Sequence, residues 1–462
     1  MNPPRNPLFR KAQHIHFVGI GGSGMSGIAE VLVNLNFTVS GSDLSRTPVT
    51  ERLEKLGARV FTGHAADNIA GSDVVVISSA VGQTNPEVVE AKQRKVPVIP
   101  RAEMLGELMR MKYGVAIAGS HGKTSTTAMV AQVLSGAGLD PTIVIGGRLN
   151  MLGSSAKLGK GDLMVAEADE SDGSFLGLSP TIAVVTNIDS EHLNHYGSME
   201  TLVEAFAGFL NKVPFYGLGI VCLDDPQVQG IMPRLTRTLL TYGLASQADL
   251  VGTNLTLKEF TSRFEVTFKG RWLGDVHLRV PGRHSIYNAL AAIGVGLEFD
   301  LKFDDIAGHL AEFGGADRRF QLKGMVGDIM VIDDYGHHPT EIRATLSAAR
   351  DGWNRRTLVV FQPHRYSRVQ GLMEEFSRSF YQADVLLVTE VYRAGETPIP
   401  GVSGETLAAA ISQHGHKDVT YARDLDEAAH LVRQRAKAGD ILITLGAGDV
   451  WKVADQFLKD PA

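Results

Sequence analysis

The run Gly119-Ser120-His121-Gly122-Lys123-Thr124-Ser125 carries the residue types that hold phosphate. Backbone N–H groups of a glycine loop and of a helix start donate to phosphate oxygens. A lysine neutralises them, and a threonine hydroxyl ligates Mg²⁺. The usual first glycine of this pattern is replaced by Ile117, so the loop is a shortened form. A tight turn with a surface lysine has the same letters. The apolar run Val115–Ala118 before the loop reads as a buried strand. Met129, Val130, Val133 and Leu134 after it share one helix face, and this context favours phosphate.

Two further strand ends offer ligands of the right kind. Leu163–Ala166 runs into Glu167, and Ile182–Thr186 runs into Asn187, Asp189, Glu191 and His192. Glu167 is the first polar residue past its strand, where α/β sheets place their ligands. A lone histidine is more often structural, but a carboxylate and an imidazole beside a Lys-Thr loop suggest a metal site of Thr124, Glu167 and His192. Oxygen donors suit Mg²⁺, and the imidazole also admits Mn²⁺.

A second glycine loop lies near the N-terminus. Gly19, Gly21, Gly22, Ser23, Gly24 and Met25 belong to a G-x-G-x-x-G run after the strand Ile15–Ile20, with Asp43 following a second strand, Phe37–Ser40. This is a dinucleotide fingerprint in form, but its physics is only a tight turn that presents N–H groups to a diphosphate. Ser79, after the strand Val74–Ile77, could add polar backbone to the same crevice. Near the C-terminus four apolar runs end in polar groups, at Asp333–Glu341, Gln362–Arg368, Glu390–Glu396 and Gly446–Asp449. Four such ends in a row describe the rim of a parallel sheet facing a cleft. His364, Arg365 and Arg368 form a cationic cluster suited to carboxylate or phosphate. His284 and Asn288, four apart at a helix start, read either as groups facing a base or as capping and surface residues.

The elements that must position these groups fill a chain of 462 residues, which suggests about three domains. A net charge of −6 gives no basic footprint for nucleic acid. No apolar stretch reaches the ~20 residues of a membrane span, and the N-terminus lacks the apolar core of a signal peptide. The single cysteine, Cys222, excludes an intrachain disulfide and reads as a small buried hydrophobe, which points to the cytoplasm. Residues 263–273 alternate as an antiparallel hairpin.

Taken in order, GIGGSGMSGIA, GSHGKTSTT, EADESDGSF, TNIDSEHL, ADRRF, DDYGHHPTEI, FQPHRYSR and GAGD resemble the Mur ligases across nearly the full chain. The resemblance implies an α/β protein of three domains. These are a UDP-sugar-binding Rossmann-like domain (1–107), a central P-loop ATPase-like domain (108–315) and a Rossmann-like C-terminal ligase domain (316–462). It implies ATP-dependent joining of L-alanine to UDP-N-acetylmuramate; whether as a monomer or homodimer is left open by the sequence. The N-terminal loop would then hold the UDP diphosphate. Gly119–Ser125 would hold ATP phosphates, with Lys123, Glu167, His192, His337 and Arg365 catalytic. His284, Asn288 and Arg319 would contact adenine and phosphate. Tyr335, His337, His364, Arg365 and Arg368 would surround the amino acid and the reacting carboxylate. Where some members carry a carbamylated lysine, this chain has Ala207, so none is expected.

Two rivals remain at this stage. A related ligase that attaches a recycled tripeptide shares most of these motifs. An NAD-dependent oxidoreductase accounts for the first glycine loop and Asp43, but leaves Lys123, Glu167 and His192 without a task.

Overall fold

The computed structural model describes Phe9 and residues 12–78, 80–149 and 154–460. Their strands form three sheets, and the chain divides into two compact units. The first unit comprises residues up to Thr253 with Glu265–Asp275 and Tyr287–Leu310. The second comprises Asn254–Phe264, Val276–Ile286 and the chain from Ala311 onward.

The N-terminal sheet has the order Arg59–Thr62, Thr38–Asp43, His14–Val18, Val74–Ile77, Val98–Pro100, with every pairing parallel. The chain reverses direction across the sheet beside His14–Val18, which is where a parallel sheet opens a crevice at its carboxyl ends. Phe17, Ile20, Ile28, Leu32 and Val39 pack beneath it, all buried.

In the second sheet the strand Tyr113–Ala118 is central. Leu163–Glu167 pairs with it on one side and Ile182–Val185 on the other, both parallel. The register places Ile117 opposite Glu167 and Ala118 opposite Val185. The phosphate-type loop after Ala118 is therefore flanked by the carboxyl ends of both neighbours. Leu218–Cys222 and Leu239–Gly243 continue one edge, and Thr142–Leu149 and Ser154–Lys157 the other. Cys222 is buried, and burial pushes its thiol up to about 12, as befits a packing residue. The expected hairpin is present as Thr261–Phe268 and Arg271–Leu278. Its turn residues Lys269 and Gly270 both have positive φ, 47° and 79°, which matches the right-handed twist of two-residue hairpin loops.

The third sheet, in the second unit, has the order Gln321–Val326, Ile329–Asp334, Ile441–Leu445, Thr357–Phe361, Val385–Thr389, Val419–Ala422. Only its first pair is antiparallel. Thr357–Phe361, Val385–Thr389 and Ile441–Leu445 are buried along their whole length, which is why they read as unbroken apolar runs. Arg59–Thr62 and Val419–Ala422 were not legible as such runs. They are edge strands, largely half-buried, and keep polar side chains.

Candidate active site

The phosphate-type loop is shaped by two glycines that no other residue could replace. Gly119 has φ 132°, and a Cβ there would lie 2.0 Å from Thr186 Oγ1. Gly122 has φ 82°, and its Cβ would lie 2.7 Å from Asn288 Oδ1. The helix Lys123–Gly136 follows directly, with Lys123, Thr124 and Ser125 in its first turn and no side-chain cap on its amide groups. The next strand end fixes the loop from outside. Asn187 O accepts from Ser120 N at 3.0 Å, and Asn187 Oδ1 accepts from His121 N at 2.8 Å. His121 Nε2 lies 2.9 Å from Asp189 Oδ2. Asn288 Oδ1 accepts from Thr126 Oγ1 at 3.1 Å, so Asn288 is buried beside the loop rather than on the surface.

Lys123 curls back over this loop. Its Nζ donates to Gly119 O at 2.6 Å and to Ser120 O at 3.1 Å, and pairs with Glu170 Oε2 at 2.8 Å. Burial pushes the ammonium down, but Glu170, Glu167 and Asp169 outweigh it and hold Lys123 above the ordinary lysine range. Burial also pushes the Glu170 carboxyl up, with Lys123 pulling against it. Thr124 Oγ1 donates to both oxygens of Glu167, at 3.1 and 3.3 Å. His192 adds an imidazole to the same group of carboxylates. Its Nε2 is 3.6 Å from Glu191 Oε2 and 3.9 Å from Glu170 Oε1, and these three residues have the spacing of a metal-binding set. The structure thus joins Thr124 to Glu167 and joins His192 to Glu170 and Glu191. Glu170 was visible in sequence only as one of several carboxylates in the loop after Glu167. Ala207 is buried among Leu202, Phe206 and Leu210 in the apolar core.

At the N-terminal sheet, Gly19 has φ 79° and Gly22 precedes the helix Ser23–Asn34 without a side-chain cap. Asp43 Oδ2 accepts from Gly21 N at 2.8 Å, so the acidic residue shapes the loop itself. Met25 is buried in the core, and Ser79 lies outside the described residues. A Cβ on Gly24 would lie 2.4 Å from an Arg101 guanidinium nitrogen, and Arg101 pairs with Asp169 at 3.2 Å. Gly24, Arg101, Glu167 and Asp169 border one small cavity of about 30 Å³. The first glycine loop and the Glu167 cluster therefore share a wall. No spacing in the sequence singled out Arg101.

Beneath the same loop lies a buried polar network. Glu87 accepts from Ser42 Oγ at 2.6 Å and from Asn68 Nδ2 at 2.6 Å. His64 Nδ1 is 3.2 Å away and His16 Nε2 3.8 Å away. Burial pushes the Glu87 carboxyl up, but His16, Ser42 and Asn68 together hold it down at about 2.

In the second unit Arg318 and Arg319 lie over the Tyr335 ring, at 5.1 and 5.2 Å from its centre. Arg318 also pairs with Asp333 at 2.8 Å and donates to Gly446 O at 2.7 Å, a structural clamp across two strand ends. His337 Nδ1 lies 3.1 Å from Tyr335 O and 3.2 Å from Glu341 Oε2. Both neighbours are acceptors for a proton on Nδ1. The His337 and His364 rings meet at 5.7 Å, and Arg368 lies 3.2 Å from His364 Nδ1. Burial, reinforced by His337, Arg368 and Arg365, lowers the His364 imidazole to about 3, so it is neutral at pH 7. Arg365 has φ 67°, a left-handed conformation that is costly for a residue with a side chain and is concentrated at functional sites. Burial and the Arg319 charge likewise lower His284 to about 4.

The first unit thus carries a nucleotide-type phosphate loop, a carboxylate cluster and a second glycine loop, and the second unit by itself carries an imidazole-arginine cluster. Known proteins resemble the chain along nearly its whole length. Residues 14–113 match the Mur ligase family catalytic domain, 117–296 the Mur ligase middle domain, and 318–448 the Mur ligase glutamate ligase domain. The chain is 58% identical over 454 residues to the UDP-N-acetylmuramate–L-alanine ligase of Trichlorobacter lovleyi, covering 98% of this chain and 100% of that one. It is 57% identical over 452 residues to the enzyme of the same name from Geotalea uraniireducens, covering 98% and 99%. The crystal structure of a UDP-N-acetylmuramate-alanine ligase from Thermotoga maritima superimposes with a TM-score of 0.81 at 30% identity, over 96% of this chain and 98% of that one. Matched in all three parts and along nearly its whole length, the chain belongs to the Mur ligase family.

Proposed function

We propose that the chain joins L-alanine to the lactyl carboxylate of UDP-N-acetylmuramate, consuming ATP and releasing ADP and phosphate, as a step of peptidoglycan precursor synthesis. The observation that carries this reading is the loop whose lysine is held protonated above a Thr124–Glu167 pair. The full-length likeness to alanine-adding ligases supports the acceptor and disfavours both the tripeptide and the NAD readings.

The work divides among residues 1–107, 108–315 and 316–462. Gly19, Gly21, Gly22 and Gly24, with Ser23, Met25, Asp43 and Ser79, would bind the UDP-sugar. Gly119–Ser125 would cradle the ATP phosphates, with His284, Asn288 and Arg319 serving the nucleotide. The first step brings a carboxylate against the γ-phosphate, anion against anion. Lys123 and the loop N–H groups lower that repulsion and stabilise the transferring phosphoryl group. A hydroxyl and a carboxylate 3.1 Å apart are hard oxygen donors that fit Mg²⁺ (or Mn²⁺), with Thr124 and Glu167 as ligands and His192, beside Glu170 and Glu191, contributing to the same carboxylate-rich site. When bound there, the ion would add positive charge on the phosphate oxygens.

The acyl phosphate then meets the amine of L-alanine. Arg365 and Arg368 would hold the amino-acid carboxylate, Tyr335 and His364 would shape its pocket, and Nε2 of His337 would take the amine proton as the tetrahedral intermediate forms. Phosphate leaves as the amide closes. ATP chemistry and one buried cysteine fit a cytoplasmic enzyme, active as a monomer or homodimer. Among the described residues no helix is long and apolar enough to cross a membrane.

The test is Mg²⁺-dependent phosphate release from ATP with UDP-N-acetylmuramate, run with L-alanine or with L-Ala-γ-D-Glu-diaminopimelate. Release only with L-alanine is expected. Release only with the tripeptide would move the assignment to the recycling activity, and silence with both would overturn it.

A further inference from the structure

Tyr392 is held in an unusual way for an aromatic ring that is 39% exposed. Its ring stacks on His364, with centres 5.5 Å apart and planes 8° from parallel. The two backbones form an isolated bridge, Arg365 N donating to Tyr392 O at 2.9 Å and Tyr392 N to Pro363 O at 2.8 Å. Gly448 packs against the ring so closely that a Cβ there would lie 2.8 Å from its Cγ and Cδ2. The bridge holds the backbone, and the His364 stack and Gly448, neither involving the phenol hydroxyl, hold the ring.

The ring touches two distinct features. Against it lies the His337–His364–Arg368 cluster. Tyr392 also lines a cavity of about 510 Å³ with Gln362, Glu390, Arg393, Asp424, Leu425 and Asp449. Alanine is far smaller than this space. We propose that the Tyr392 ring is the wall that keeps the acceptor site alanine-sized, closing it off from a second cavity able to receive a longer acceptor side chain. The proposal rests on the alanine-ligase reading and names the residue that sets its specificity. The carboxylates of the cavity hold their own loops: Glu390 accepts from Val391 N at 2.8 Å and from Tyr421 OH at 2.9 Å, and Asp449 pairs with Lys452 at 2.9 Å. Three carboxylates against Arg393 and Lys452 still leave negative charge in excess. A side chain entering from the acceptor site is therefore better received if it is basic than if it is acidic.

The experiment measures kcat/KM for L-alanine, L-arginine and L-glutamate in wild type, Tyr392→Ala and Tyr392→Phe, with melting curves to establish folding. In Tyr392→Ala the preference for L-alanine over L-arginine is expected to fall at least ~10-fold, the scale on which a pocket wall discriminates, and to fall less against L-glutamate. Tyr392→Phe keeps the ring and is expected to keep the wild-type preference. If Tyr392→Ala does not fold, Tyr392→Val, which retains apolar bulk against Gly448, is read by the same criterion. An unchanged preference in a folded variant overturns the proposal. So do equal gains for L-arginine and L-glutamate, or a Phe variant that behaves like the Ala variant. Absence of L-alanine turnover in the wild type is a separate result, which removes the functional reading and the proposal with it.

Discussion

Glu87→Gln isolates one charge while keeping the shape of the side chain. Glu87 is fully buried, and its carboxyl is held at about 2 against an ordinary 4.5. That difference corresponds to about 3 kcal/mol of stability at neutral pH, at ~1.4 kcal/mol per unit. The folded-state value is depressed, so this stability is fully present above pH 4.5 and is lost as pH falls toward 2. The glutamine variant should therefore be less stable than wild type by about 3 kcal/mol at pH 7, with the gap narrowing below pH 4.5. Urea unfolding read by hydrogen exchange of His14–Val18 and Thr38–Asp43 confines the measurement to this sheet. The change should also reach the substrate. Ser42 is bonded to Glu87 and precedes Asp43, whose carboxylate holds the Gly21 amide. KM for UDP-N-acetylmuramate should rise while KM for ATP stays unchanged. Equal stability at pH 7, or a gap of the same size at pH 3, would refute the assignment of an ionised Glu87 to the network.

Lys123→Met should lower kcat by ~10²-fold or more, the scale for removing a group that stabilises transition-state charge, with little change in KM for L-alanine; steady-state phosphate release reads both. Gly119→Ala forces a Cβ to 2.0 Å from Thr186 Oγ1 at φ 132°, so the variant should melt lower and lose the upward shift that ATP gives the wild type. His364 takes up its proton only near pH 3, whereas an unfolded histidine does so near 6.5. The unfolded chain thus binds more protons across that window, and the wild type loses stability as pH falls from 6.5. His364→Gln removes this loss, so its stability relative to wild type should rise between pH 6.5 and pH 4 in chemical denaturation.

The local chemistry of the site could be read from the chain alone. A glycine loop between a buried strand and a helix, Glu167 one residue past an apolar run, and polar groups at four successive strand ends depend on residues adjacent in sequence. Parallel strands buried on both faces announce themselves as apolar runs, so their polar carboxyl ends stand out. The partners of those groups were not legible, because a parallel sheet brings together residues whose separation carries no periodic signal. Lys123 meets Glu170, Ser42 meets Glu87, and His364 meets Tyr392 only after the strands are in register. For the same reason the sequence named Thr124, Glu167 and His192 but gave no sign that Glu170 lies beside both Lys123 and His192. Residue type and order determined which reactions this protein could perform. Strand register and burial decided which charges are paired, which histidines stay neutral, and which ring stacks on His364, since burial and proximity shift a group's chemistry only once the chain is folded.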